Sequence, residues 1–150
     1  MKSLKYSLAV ITVIGLLVMM GCDSGGSEGQ PDPFEQQIEL LVNNGRPWVA
    51  PAETSVIKDG FDVSDQFTGF SVTFSEGTFR TENALASAWP AEGNWQLSAN
   101  NVNTILRGDG VAMQTQLTGN TLTLTFTAGG PSGGRTNSVV GEFQFVLISQ

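Results

Sequence analysis

Along most of this chain apolar and polar residues alternate with period two. Phe70-Ser71-Val72-Thr73-Phe74-Ser75 alternates strictly, Glu76-Gly77 turns the chain, and Thr78-Phe79-Arg80-Thr81 returns. Trp95 and Leu97 alternate with Gln96 and Ser98. Asn100-Asn101 separates them from Thr104-Ile105-Leu106-Arg107, which Gly108-Asp109-Gly110 closes. Val111, Met113, Thr115 and Leu117 face one way, and Ala112, Gln114 and Gln116 the other. Gly119-Asn120 then turns into Thr121–Thr127, where every polar position is threonine. A glycine-rich stretch, 129–134, leads to Val139–Ile148, which is apolar on both faces, and an earlier strand runs near Trp48 to Ile57, interrupted by Pro51. Side chains on a strand point alternately to opposite faces, so each segment predicts a half-buried strand. The Asn, Asp and Gly pairs between them are hairpin signals.

Two segments depart from this period. Phe34, Ile38 and Leu41 recur at helical spacing. Asp32 can cap that helix, Pro33 suits its first position, Glu35 sits at the capping-box spacing, and Asn43-Asn44-Gly45 stops it. The expectation is one amphipathic helix of about three turns at most. The other segment, Ser7 to Met20, is almost wholly apolar and follows Lys2 and Lys5. It has the length of a signal-peptide core and is short for a bilayer span.

About eight strands joined by tight turns predict an all-β fold, an antiparallel up-and-down meander with one short N-terminal helix. Each strand has one apolar face that must be covered, so the sheet either closes into a barrel or folds into a sandwich. Closure into a barrel also removes the exposed edges.

The apolar N-terminal segment ends in Met19-Met20-Gly21-Cys22. A small residue before a cysteine, directly after such a segment, resembles the bacterial lipobox, with Met19 where leucine is usual. The resemblance implies cleavage before Cys22 and a diacylglycerol on its sulfur. Cys22 is the only cysteine of the chain, so a disulfide framework is excluded. Residues 1–21 are expected to form a cleaved signal peptide, 22–32 an acylated cysteine with a flexible acidic tether, and 33–150 one β domain. Anchoring at Cys22 makes the membrane the first partner and the cell envelope the location, with the outer membrane favoured.

Removing Lys2 and Lys5 with the signal leaves five basic against 14 acidic residues, a net charge of −9. No basic patch is available for a nucleic acid. The chain holds no histidine, which removes the commonest general base and metal ligand. No motif calls for a cofactor, and the domain is read as non-enzymatic.

The remaining polar clusters suggest structure before chemistry. Asp59, Asp62 and Asp65 fall at intervals of three, which does not match the oxygen spacing of an EF-hand calcium loop, and no metal site is expected. A glycine-rich loop that ends in Arg135 and leads into a strand is not a phosphate loop, which opens a helix. Arg80, Arg107 and Arg135 can meet an anionic ligand or neighbouring carboxylates. Trp48, Trp89 and Trp95, with Phe61, Phe67, Phe70 and Phe74, can line a ligand cavity or fill a core. An eight-stranded barrel is just wide enough for either. The bulky inward candidates Phe70, Phe74, Trp95, Phe126, Phe143 and Phe145 favour filling. Trp89, in Ala88-Trp89-Pro90-Ala91, reads as a loop residue placed at a barrel mouth.

The order of lipobox, acidic tether, short helix, Gly45-Arg46-Pro47-Trp48 and strand meander resembles the short lipocalin-like lipoproteins of Bacteroidota. Lipocalins carry Gly-x-Trp on the first strand, and here one more residue intervenes. The stretches 59–70, 88–95 and Arg107-Gly108-Asp109-Gly110 are similar too, and the likeness covers roughly residues 34–150. It implies a barrel on a membrane, in a family with no assigned catalytic function. The functional expectation is a module that binds a small apolar or amphipathic ligand, with Trp48, Trp89 and Trp95 as candidate contacts. The alternative is an accessory protein that docks another envelope protein without a small ligand. A carboxylate-pair hydrolase drawing on Asp59, Asp62, Asp65 and Glu92 is the third and weakest option.

Overall fold

The computed structural model describes residues 31–128 and 140–150. Cys22, most of the tether and the glycine-rich stretch with Arg135 lie outside them. The helix forms where the sequence signals it. α1 spans Pro33–Val42, and the Asp32 carboxylate accepts the backbone N–H of Phe34 at 2.9 Å. Asn43 ends it in the left-handed conformation (φ 53°) and donates its backbone N–H to Glu39 O. Of the predicted apolar face, Leu41 is fully buried, Ile38 packs against the core from the side and Phe34 is half-buried. Burying Leu41 alone contributes roughly 1.5–3 kcal/mol, more than propensity gives so short a helix.

Ten strands follow, in chain order β1 Trp48–Val49, β2 Val56–Lys58, β3 Phe61–Asp62, β4 Ser71–Ser75, β5 Thr78–Glu82, β6 Glu92–Ser98, β7 Asn101–Arg107, β8 Ala112–Thr118, β9 Thr121–Ala128 and β10 Gly141–Ser149. From β4 to β10 each strand pairs antiparallel with the next. β1 pairs with both β4 and β10, Trp48 facing Val72 on one side and Ser149 on the other. Eight strands therefore close on themselves, which makes the sheet a barrel and removes the sandwich alternative.

The two extra strands arise from the predicted interruption. Pro51 lacks a backbone N–H, so the first strand stops after Val49. It resumes at Val56 along the same neighbour, with Phe145 facing Val56 and Phe143 facing Lys58. Asp59-Gly60 then forms a two-residue hairpin into β3, both residues at positive φ (51° and 84°), the backbone that such a turn requires. A 3-10 turn over Ser64–Phe67 carries the chain back to β4.

The registers place the loops at two ends. α1, the hairpin turns at 75–78, 98–101 and 118–121, and the C-terminus share one end. α1 touches β4 and β7, which lie three places apart around the ring, so it crosses that end. Its C-cap residue Asn43 exchanges side-chain hydrogen bonds with Ser149 at the end of β10. Outward Val146 and Ile148 of β10 stay half-buried. At the opposite end, the mouth, stand the β2–β3 hairpin, the 3-10 turn, the long loop 83–91 and the turn 108–111.

The lumen is filled. Phe70, Phe74, Trp95, Phe126, Phe143 and Phe145 are all buried, as the alternation predicts. Aromatic rings pack mainly edge to face along the mouth half, Phe67 to Phe145 at 5.0 Å and Trp89 to Phe126 at 5.5 Å between centroids. Aliphatic Ile105, Met113, Leu122, Leu124 and Leu147 complete the core.

Candidate functional site

The three tryptophans do not converge on an open cavity. Trp48 enters the core beside α1, and its indole N–H donates to Leu41 O at 2.8 Å. That bond ties the helix to the first barrel strand. Trp95 donates to two carbonyls, Ser75 O and Thr78 O, each at 2.8 Å, and so clasps the β4–β5 hairpin. Trp89 does lie on a loop at the mouth, as its sequence context indicates. The loop folds inward rather than outward, and Trp89 is 0 % exposed. Its ring sits among Phe70, Phe79, Phe126 and Phe145 and plugs the barrel. Its indole nitrogen has no hydrogen-bond partner among the described residues.

Arg107 locks this plug. It points inward from the mouth end of β7, with its side chain only 3 % exposed. The guanidinium lies over Trp89 at 4.9 Å and over Phe126 at 5.4 Å. One nitrogen donates to Ala88 O at 3.0 Å, and two donate to the Asp109 carboxylate. A buried cation needs such a counter-charge. Burial pushes the Asp109 carboxyl up, but the Arg107 hydrogen bonds and charge outweigh it and hold the group below its ordinary range. Of the two options for this arginine, the described structure shows the carboxylate partner.

The aspartates near the hairpin are likewise engaged in local structure. Asp62 accepts both the hydroxyl and the backbone N–H of Ser64, and these bonds lower its pKa. Ser64 Oγ in turn accepts the backbone N–H groups of Ser55 and Val56. Asp59 accepts the N–H of Glu142 at 2.9 Å and pins the hairpin to β10. Gly141 lies tight against this corner, where an added Cβ would sit 2.5 Å from Lys58 Cε. Glu92 stands apart on the outer face of β6. Among the described residues no three acidic side chains gather as a metal ligand set.

Three depressions among the described residues lie on the outside. One, of about 570 Å³, runs over the polar outer faces of β4 to β6 beside Arg80 and Glu92. Another, of about 310 Å³, lies beside Asp109 and Asn94. The third, of about 340 Å³, is a cleft at the mouth between the β2–β3 hairpin and loop 83–91. Buried Phe67 and Phe143 form its floor, and Phe61, Val63 and Leu85 its walls. Phe61 had the standing of a core or cavity aromatic in the sequence. The structure leaves it 75 % exposed on the edge strand β3. Leu85 and Ser87 carried no sequence signal, because they sit in a loop without period.

Comparison with protein-family models, with curated proteins and with solved structures gave no match.

Proposed function

We propose that this chain is a non-enzymatic, lipid-anchored protein of the bacterial cell envelope whose lipocalin-like barrel binds through its outer surface and mouth. The observation that carries the binding part is the filled, closed barrel. Trp89, Phe70, Phe74 and Phe145 are fully buried inside the barrel and pack with the rest of the core, so a ligand there would first have to displace packed aromatics. Open surface remains at the mouth and on the outer face of β4 to β6. The anchor rests on the signal-like segment before Cys22 and on the acidic tether after it. At least two acyl chains are needed for a stable hold, which the lipobox resemblance supplies. The outer membrane is the favoured location.

Radiolabelled palmitate fed to the native host tests the anchor. The label should enter the protein, and Cys22→Ser should abolish it and release the chain from the membrane fraction. Labelling that survives Cys22→Ser would overturn the anchor. Barrel binding is tested by in-cell photo-crosslinking from surface positions. Adducts should form from positions at the mouth or on β4 to β6; adducts arising from neither face would overturn the outer-surface reading.

A further inference from the structure

Large hydrophobic side chains are exposed at four described positions, Leu40, Phe61, Leu85 and Val140. Leu40 belongs to α1, at the helix end. The other three belong to the mouth: Phe61 and Leu85 line its cleft, and Val140 adjoins Gly141, which packs against Lys58 and Asp59. Exposed apolar side chains scattered singly are ordinary, but a cluster beside a concave floor of buried rings marks a contact site. The volume of about 340 Å³ is at the small end of ligand pockets.

The charges at the rim restrict what fits. Lys58 and Asp59 face each other, Nζ to Oδ2 at 3.9 Å. The same ammonium lies 5.8 Å above the Phe143 ring, and the same carboxylate accepts the Glu142 N–H. Each charge is thus compensated within the protein, and an ionic ligand would have to break that pairing. What remains are the uncharged polar ends of Gln66 and Ser87 at the rim. An apolar pocket with a few neutral hydrogen-bonding groups selects a neutral molecule with one polar handle. The aromatic floor and wall favour a flat ring, which packs well edge to face or offset.

We infer that the mouth cleft binds a small, uncharged, ring-bearing molecule with a single hydrogen-bonding group, seated between Phe61 and Leu85 over Phe67 and Phe143. This inference rests on the outer-surface reading of the barrel.

The test uses chain 22–150 with Cys22→Ser, unlipidated and in detergent-free buffer. It keeps the helix, all ten strands and the whole described core, which lie within 31–150. The probe is 2-naphthol, with 2-naphthoate and 2-naphthylmethylammonium as its anionic and cationic counterparts, followed by methyl and aromatic NMR shifts. 2-Naphthol should saturate shifts at Phe61, Val63 and Leu85, and both charged counterparts should bind about tenfold more weakly or worse. Phe61→Ser and Leu85→Ser, both at exposed positions, should each weaken binding about tenfold and leave the Leu124 and Leu147 shifts unchanged. Absence of saturable shifts, equal binding of a charged counterpart, or indifference to both substitutions would overturn the inference. Shifts confined to Leu122, Leu124 and Trp89 would place the ligand in the lumen and bring down the outer-surface reading as well. If nothing shifts, only the ligand inference falls.

Discussion

The three buried tryptophans allow one substitution to be compared in three hydrogen-bonding states. Replacing indole by phenyl removes ring volume from a packed core, at a cost of about 1–2 kcal/mol for the lost contacts and the residual void. At position 48 it also removes the donor that satisfies Leu41 O. A buried carbonyl left unpaired adds about 1–3 kcal/mol, so Trp48→Phe should cost roughly 2–5 kcal/mol. Trp95→Phe strips a donor from two carbonyls at once and belongs in the same range. Position 89 is different. Its N–H has no partner among the described residues, and the folded state already bears the cost of desolvating it. Trp89→Phe removes that cost together with the volume, so the two effects offset and the variant should lie within about 1 kcal/mol of the parent. Trp89→Ala, which only opens a cavity, should cost about 3–5 kcal/mol. The assay is urea unfolding of the unlipidated chain followed by far-ultraviolet circular dichroism, because fluorescence changes with every tryptophan removed. If Trp89→Phe proves as damaging as Trp48→Phe, the Trp89 N–H is satisfied by something, such as a trapped water, and the reasoning about an orphan donor is wrong.

Four further outcomes follow from the same contacts. Asp109→Ala leaves Arg107 buried beneath Trp89 without its counter-charge; because Asp109 is itself partly exposed, the loss should be about 2 kcal/mol and not the full cost of a deeply buried pair. Adding Arg107→Met should recover part of that loss in a double-mutant cycle, and strict additivity of the two single effects would argue against the pair. Asp109 and Asp62 both have folded-state pKa values below the ordinary 3.8, so their contribution is present above that value and disappears as pH falls through the lowered folded pKa; Asp109→Asn should flatten the acid side of a stability–pH curve below about pH 4 and leave its neutral-to-alkaline shape unchanged. Gly93→Ala would place a Cβ 2.9 Å from the Phe79 ring, which is packed against Trp89 and Phe74 and has little room to give, so melting should fall by an amount equivalent to about 1–3 kcal/mol, whereas Gly108→Ala, with its nearest neighbours at 3.5 Å, should be close to neutral in the same thermal scan.

Much of the barrel was legible from period-two alternation, because strands β4 to β10 are each half-buried and their turns carry Asn, Asp or Gly. Val111 to Leu117 shows why: Met113 and Thr115 are buried, while Ala112, Gln114 and Gln116 are exposed, as the pattern requires. Helix α1 was legible because its cap, its first-turn proline and its αL stop are all local signals. The first strand was legible as interrupted, but its consequence was not. That Pro51 splits one strand into two stretches along the same neighbour, with β3 added on the outside, depends on the β10 register. A register is a long-range property that no local pattern records.

The same distinction between local and long-range information explains why the surroundings of the candidate tryptophans were not legible. Alternation tells which side chains of a strand point inward, and it correctly picked the aromatics of the lumen. Whether those aromatics surround a ligand or one another depends on what the loops insert, and loops have no period. Trp89 comes from loop 83–91, and the room it takes in the lumen is held by Arg107, a polar residue at an inward strand position. An inward arginine at the end of β7 breaks the apolar pattern, and that break was the available signal: such a charge must find a partner inside the fold. Its partners are Asp109 in the next turn and the carbonyl of Ala88, so the break marks a fastened plug. Phe61 shows the converse case. It follows a hairpin turn on a two-residue edge strand with no partner on its far side among the described residues, so an aromatic that composition would assign to the core is left at the rim. The residues that close the lumen and the residues that open the cleft therefore differ by whether their segment has a packing partner among the described residues, and the proposed binding surface is the one where that partner is missing.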